Sequence, residues 1–173
     1  MNSPIPDEIR NDIWHLLLNV YAYQNKSKHI LETSPTRYEL AAELVAVNAL
    51  ADSITLRVAR LADRSKGVRS IKSLTKKSSE LSESFLNLVK EFETKAEPVL
   101  RQRHTRLAHM KVGELSSYPI SPLTNEAVQC IKALVNLFDE FSGEIVQYTL
   151  KVGSQEKPLN LRLSVIKGAR VTL

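Results

Sequence analysis

The chain has 173 residues, which suits one domain with a substantial buried core. Hydrophobic residues make up 43% and charged residues 25%, an ordinary globular balance. A lone cysteine, Cys130, excludes an internal disulfide. The first eight residues lack the basic and apolar regions of a signal peptide, and no apolar run is long enough to span a bilayer. These features predict a cytoplasmic protein with no membrane association. The formal charge of +5 and pI near 9.3 are compatible with a polyanion partner such as RNA, but ordinary proteins share them. Only 5 glycines interrupt the chain, and long periodic stretches with so few chain breakers point to helices.

The first helix is expected from about Asp7 to Glu32, with Asp7 near the orphan amides and Ile9, Ile13, Leu16, Leu17 and Val20 on one stripe. Ser34-Pro35 has the form of a cap followed by a first-turn proline. The second helix should then run to about Asp63, before a stop at Gly67. Its stripe is Leu40, Leu44, Val47, Ala51, Ile54, Val58 and Leu61, and Val45, Ala49 and Leu50 add apolar surface beside it. A helix apolar on two sides is expected at the centre of a bundle.

A serine- and lysine-rich connector, residues 70–79, has room for a short helix. The third long helix starts near Ser79 or Ser82 and carries Phe85, Leu88, Val89, Phe92, Ala96 and Val99 on one face. Pro98 predicts a kink or break near Thr94 to Glu97, because a mid-helix proline removes a hydrogen bond and crowds the preceding turn. The pattern resumes through Leu107 and Met110 to Gly113. Ser121-Pro122 repeats the cap signature. The fourth helix follows with Val128, Ile131, Val135, Phe138, Phe141, Ile145 and Tyr148, to an end near Gly153. In the tail, Leu159, Leu161, Leu163 and Val165 alternate with polar residues. That period predicts a strand, with Gly168 turning into a second one from Ala169 to Leu173. The fold class is therefore all-α, an antiparallel bundle of four main helices over residues 1–152, with a possible C-terminal hairpin in a separate tail, 153–173.

No phosphate-binding glycine loop, dinucleotide fingerprint, zinc-ligand spacing or nucleophile elbow is present, so no metal or cofactor is expected. Basic residues concentrate between Arg57 and Lys77, where a solvated face is the simpler reading, and again at Arg101, Arg103 and Arg106. The second cluster belongs to Arg103-His104-Thr105-Arg106-Leu107-Ala108-His109. Histidine titrates near neutrality and can carry a proton either way. Arginine stays charged and grips phosphate oxygens bidentately. RNA brings its own nucleophile, the 2′-hydroxyl, so these groups suffice in principle for its cleavage without a metal. Read as residues alone, His104 and His109 can equally be surface groups, and Arg103 can pair with Asp52 or Asp63. His15 and His29 have no expected catalytic role. Asp52 and Asp63 read as structural partners of Arg57 or Arg60, and Trp14, Tyr21 and Tyr23 as packing residues.

An arginine, a polar residue after it, and a histidine at the sixth position resemble the HEPN motif in Arg103, His104 and His109, with Ala108 before the histidine. The segment Ala51–Asp63, followed by basic residues to Leu74, resembles the abortive-infection U branch of that family, and the likeness covers roughly residues 10–150. The resemblance implies a metal-independent endoribonuclease, a toxin or phage-defence effector. It implies Arg103, His104 and His109 as catalytic residues and Arg106 and Lys111 as substrate-binding cations. It also implies a homodimer with a composite site. On a straight helix Arg103 and His109 point about 120° apart, so two copies of the helix would have to meet for both pairs to line one cleft. A nucleotidyltransferase-like antitoxin is a further implied partner. Such antitoxins modify a tyrosine two residues after the histidine; here that position is Lys111. The alternative is a non-catalytic HEPN module that binds RNA, a nucleotide or a protein.

Overall fold

The computed structural model describes residues 5–75, 81–107, 123–154 and 158–166. The protein is all-α, with four main helices: α1 (Ile5–Glu32), α2 (Arg37–Leu61), α4 (Glu83–Gln102) and α5 (Asn125–Ser142). A short α3 (Ile71–Thr75) lies in the connector between α2 and α4. Two helical hairpins make the bundle. In the first, α1 and α2 run antiparallel: Lys26 pairs with Glu43 at 2.6 Å, and Asn19 donates to the Ser53 hydroxyl at 2.7 Å. In the second, Ser84 at the start of α4 donates to Glu140 at the end of α5, and the Phe85 and Phe141 rings lie 5.7 Å apart. The inward faces of all four helices meet in one core, where Ile13, Leu17, Ile54, Phe92, Ile131 and Leu134 are almost fully buried. Leu123 donates its amide to the Tyr23 hydroxyl, which ties the start of α5 to α1.

Both Ser-Pro caps are corrected. The N-cap of α2 is Thr36, two residues beyond Ser34: its hydroxyl accepts the Glu39 amide while Glu39 accepts the Thr36 amide at 2.8 Å. That reciprocal box needs a carboxylate three residues after the cap, and Arg37 stands there relative to Ser34. The N-cap of α5 is Thr124, whose hydroxyl accepts the Ala127 amide, while Ser121 and Pro122 lie outside the described residues. Asp7 sits inside the first turn of α1 as a favourable charge at the positive end of the helix. At the other end of α2, Ala62 is the C-cap and Gly67, at φ +80°, belongs to the following loop.

Pro98 does not break α4, which continues as an α-helix on both sides of it. Ala96 and Val99 flank the proline and are both buried, so packing holds the turn whose hydrogen bond is missing. The residues beyond 107, including Met110 and Gly113, lie outside the described set. Helix α5 stops at Ser142, because Gly143 takes the left-handed C-cap at φ +70°. Ile145 is then 68% exposed, whereas Tyr148 is buried on extended chain.

The hairpin pairs β1 (Thr149–Leu150) with β2 (Leu159–Asn160). The alternation does not persist as a strand: α6 (Leu163–Ile166) follows, and residues 169–173 are outside the described set. The expected division after residue 152 is crossed by core contacts. Leu161 and Val165 are buried in the same cluster as the main helices. Arg162 donates to both carboxylate oxygens of Asp139 at 2.8 Å and to the Val146 carbonyl, and Asp139 also accepts the Val146 amide. The Arg162 and Asp139 side chains are only 11% and 16% exposed. Asp139→Ala therefore leaves a largely buried guanidinium without its counter-charge, and a loss of about 3–5 kcal/mol is expected in denaturant unfolding. An unchanged unfolding midpoint would show that the tail does not contribute to the fold.

Candidate functional site

The candidate motif begins where α4 ends. The Ser82 hydroxyl caps that helix by accepting the Phe85 amide, and Phe85, Phe92, Ala96 and Val99 turn one face into the core. After Gln102 the backbone widens into a single π-helical turn, Arg103–Leu107. Within that turn the Thr105 hydroxyl donates to the carbonyl oxygens of Arg101 and Gln102, at 3.0 and 3.3 Å. Isolated π turns inside helices occur frequently at functional positions. The angle of about 120° between Arg103 and His109 holds only for a straight α-helix, and the change of pitch at Arg103 removes its basis.

Arg103 and His104 are both exposed on this turn. As sequence neighbours on a helical turn they do not share one face. His109 and Lys111 lie outside the described residues, as does the side chain of Arg106. The turn packs against α2. Just past the C-terminus of α2, Asp63 accepts the Ser65 amide at 2.7 Å. That amide hydrogen bond, and to a smaller degree the Arg103 charge, hold the Asp63 carboxyl below its ordinary range. The neighbouring Arg64 reaches back to Glu93 on α4 at 3.0 Å. Of the cations the sequence offers for Asp63, namely Arg57, Arg60 and Arg103, it is the charge of Arg103 that acts on it.

Other polar features resolve into structural roles. Arg69 donates through Nε and Nη2 to Asp12 and through Nη1 to Glu8, and Lys72 donates to the Arg64 carbonyl. Arg60, Arg64, Lys66 and Lys72 are exposed, as expected of a solvated face, and Arg69 and Lys72 are in addition ion-paired or bonded to backbone. Arg69 and Lys72 border a surface pocket of about 360 Å³ lined also by Ser65, Gly67 and Ser73, and the pocket lies apart from Arg103 and His104. His15 stacks edge-on to Trp14 at 4.9 Å. The Cys130 thiol is buried in α5, and burial pushes it up to about 12. Among the described residues, no three His, Cys, Asp or Glu side chains gather as a metal-holding group, and no helix is long and apolar enough to cross a membrane.

No family model, curated protein or solved structure matches this chain.

Asp63 gives the arrangement a titration signature. Its carboxyl should titrate below 3.8 by ¹³C NMR, and Arg103→Ala should raise that value while leaving the Ser65 contribution in place. Because folding depresses this carboxyl, its stabilisation is present above its unfolded value and is lost as pH falls through the folded value. Asp63→Asn should therefore flatten part of the acid-side decline in stability. A carboxyl that does not respond to Arg103→Ala would separate the π turn from the end of α2.

Proposed function

We propose that this protein cleaves single-stranded RNA without a divalent metal, as a HEPN-type toxin or phage-defence effector. The observation that supports the reading is an arginine and a histidine exposed side by side on a π-helical turn, backed by the end of α2. In the reaction, the 2′-oxygen attacks the adjacent phosphorus, the bond to the 5′-oxygen breaks, and a 2′,3′-cyclic phosphate and a 5′-hydroxyl result. Arg103 grips the phosphate as its charge spreads, and His109 carries a proton between the two oxygens. His104 orients the phosphate, with Arg106 and Lys111 holding flanking backbone charges. A non-catalytic module that binds RNA, a nucleotide or a protein is the second reading, favoured by the divergent directions of Arg103 and His104.

The partners in this reading are RNA, a second copy of the chain and an antitoxin of nucleotidyltransferase type. The second copy was expected along the apolar face of α4. Phe92, Ala96 and Val99 are buried within the chain itself, so that face is not available to a partner.

Labelled RNA incubated with the purified protein in EDTA should yield 2′,3′-cyclic ends. Arg103→Ala and His109→Ala should each lower the rate by about two to four orders of magnitude without unfolding the protein, and His104→Ala should do less. Cleavage that EDTA abolishes would overturn the mechanism. Salt-sensitive RNA binding with no cleavage would favour the second reading.

A further inference from the structure

The connector after α2 builds a pocket that the proposed reaction does not use. One wall is the start of α1, with Ile5 and Glu8, and the other is the connector over residues 65–73. Hydrogen bonds fix the second wall. Asp63 accepts the Ser65 amide, Lys72 donates to the Arg64 carbonyl, and Arg69 donates to Asp12 and Glu8 on α1. Arg69 thus locks one wall to the other, and the pocket is formed before any ligand enters.

Two observations point to that ligand. The first is Ser70. It lines the pocket yet is wholly excluded from solvent, and its Oγ has no hydrogen-bond partner. Its backbone is already satisfied: the amide donates to the Ser73 hydroxyl, and the carbonyl accepts from that same hydroxyl. A buried hydroxyl without a partner is costly, and such groups are uncommon in folded proteins. The second observation is the balance of charge. The Arg69 guanidinium is answered by two carboxylates. The Lys72 ammonium has a carbonyl oxygen, and among the described residues no carboxylate lies within ion-pair reach of it. An ammonium carries three donors, so two remain. The lining therefore combines one uncompensated positive charge, one unused hydroxyl and the apolar surface of Ile5 and Val68.

We propose that this pocket binds a small organic anion. Its carboxylate or phosphate oxygens meet the Lys72 ammonium and accept from the Ser70 hydroxyl, and its uncharged body lies against Ile5 and Val68. The space of about 360 Å³ is at the lower end of the range for small-molecule sites and exceeds what a bare inorganic ion fills. Glu8 lines the same pocket, so a polyanion is repelled where a single anionic group is not. That separates the ligand from nucleic acid, which carries a charge at every phosphate. The pocket lies apart from Arg103 and His104, so the inference stands whether or not the protein cleaves RNA.

Butyrate and butyl phosphate share one apolar body and differ in the anionic group. Each should be added to the full chain at constant ionic strength while amide shifts are followed by ¹⁵N NMR, with inorganic phosphate as the probe that lacks a body. Saturable shifts should centre on Gly67, Val68, Ser70 and Ser73, with a Kd on the order of 1 mM for the better organic probe and weaker binding of inorganic phosphate. The tighter of the two identifies the anionic group. Lys72→Met should weaken that probe at least about tenfold through loss of the charge-assisted bond, and Lys72→Arg should keep most of the affinity. Ser70→Ala should weaken it roughly threefold to tenfold without lowering the melting temperature of the free protein, because the hydroxyl has no partner to lose. A lower melting temperature in Ser70→Ala with binding unchanged would overturn the inference. So would the absence of saturable shifts up to about 50 mM of either organic probe, or shifts that sodium chloride reproduces at equal ionic strength. Displacement of the bound probe by equimolar single-stranded RNA would overturn it in favour of a nucleic-acid site.

Discussion

Phe92, Ala96 and Val99 anchor the last turns of α4 in the core, and the position of every candidate group depends on that anchorage. The face they form packs α4 against α5 and α2. With those side chains excluded from water, the helix can rotate only by exposing them again, at a cost of a few kcal/mol for each large side chain. The same packing carries the helix through Pro98, where local propensity alone would break it. Arg103 and His104 are therefore delivered to the surface at a fixed place, beside the end of α2, by a rigid helix and not by a loop.

At that place the helical ladder changes pitch, and the π turn presents Arg103 and His104 in different directions. Asp63, held by the Ser65 amide, brings a negative charge near Arg103. The two groups act on each other through charge at the protein surface. Helix α2 thus serves the core with one side and backs the candidate site at its end.

The four main helices were legible because their buried faces repeat at helical spacing over many turns. The caps were less so. Ser34-Pro35 and Ser121-Pro122 have the right local form, but Thr36 and Thr124 accept the amides three residues on, and Thr36 has Glu39 to complete a reciprocal box. The overrun of α5 has a similar origin: Ile145 and Tyr148 happen to continue the helical period past Ser142, while Gly143 ends the helix by its left-handed backbone. The alternation of Leu161, Leu163 and Val165 misled in the other direction, because a single helical turn can also bury two of three such residues. Within the candidate site, the Arg103-His104 pair and its proximity to Asp63 could be read from the residues. The π turn could not, since no local residue pattern there marks a change of helical pitch. The ion pairs that absorb Arg64 and Arg69 are long-range, and no local pattern announces them.

The proposed function requires RNA to bind at the turn after α4, and not at the basic connector after α2. Photo-crosslinking with an oligonucleotide carrying 4-thiouridine, followed by glutamyl-endopeptidase digestion and mass spectrometry, reads this directly. Cleavage after Glu93 and Glu114, the Glu97–Pro98 bond being resistant, releases one peptide, residues 94–114, that contains Arg103, His104, Arg106, His109 and Lys111. The account requires the crosslinks to concentrate in that peptide and to fall sharply in Arg103→Ala. Crosslinks concentrated instead between residues 64 and 77, and unaffected by Arg103→Ala, would contradict it.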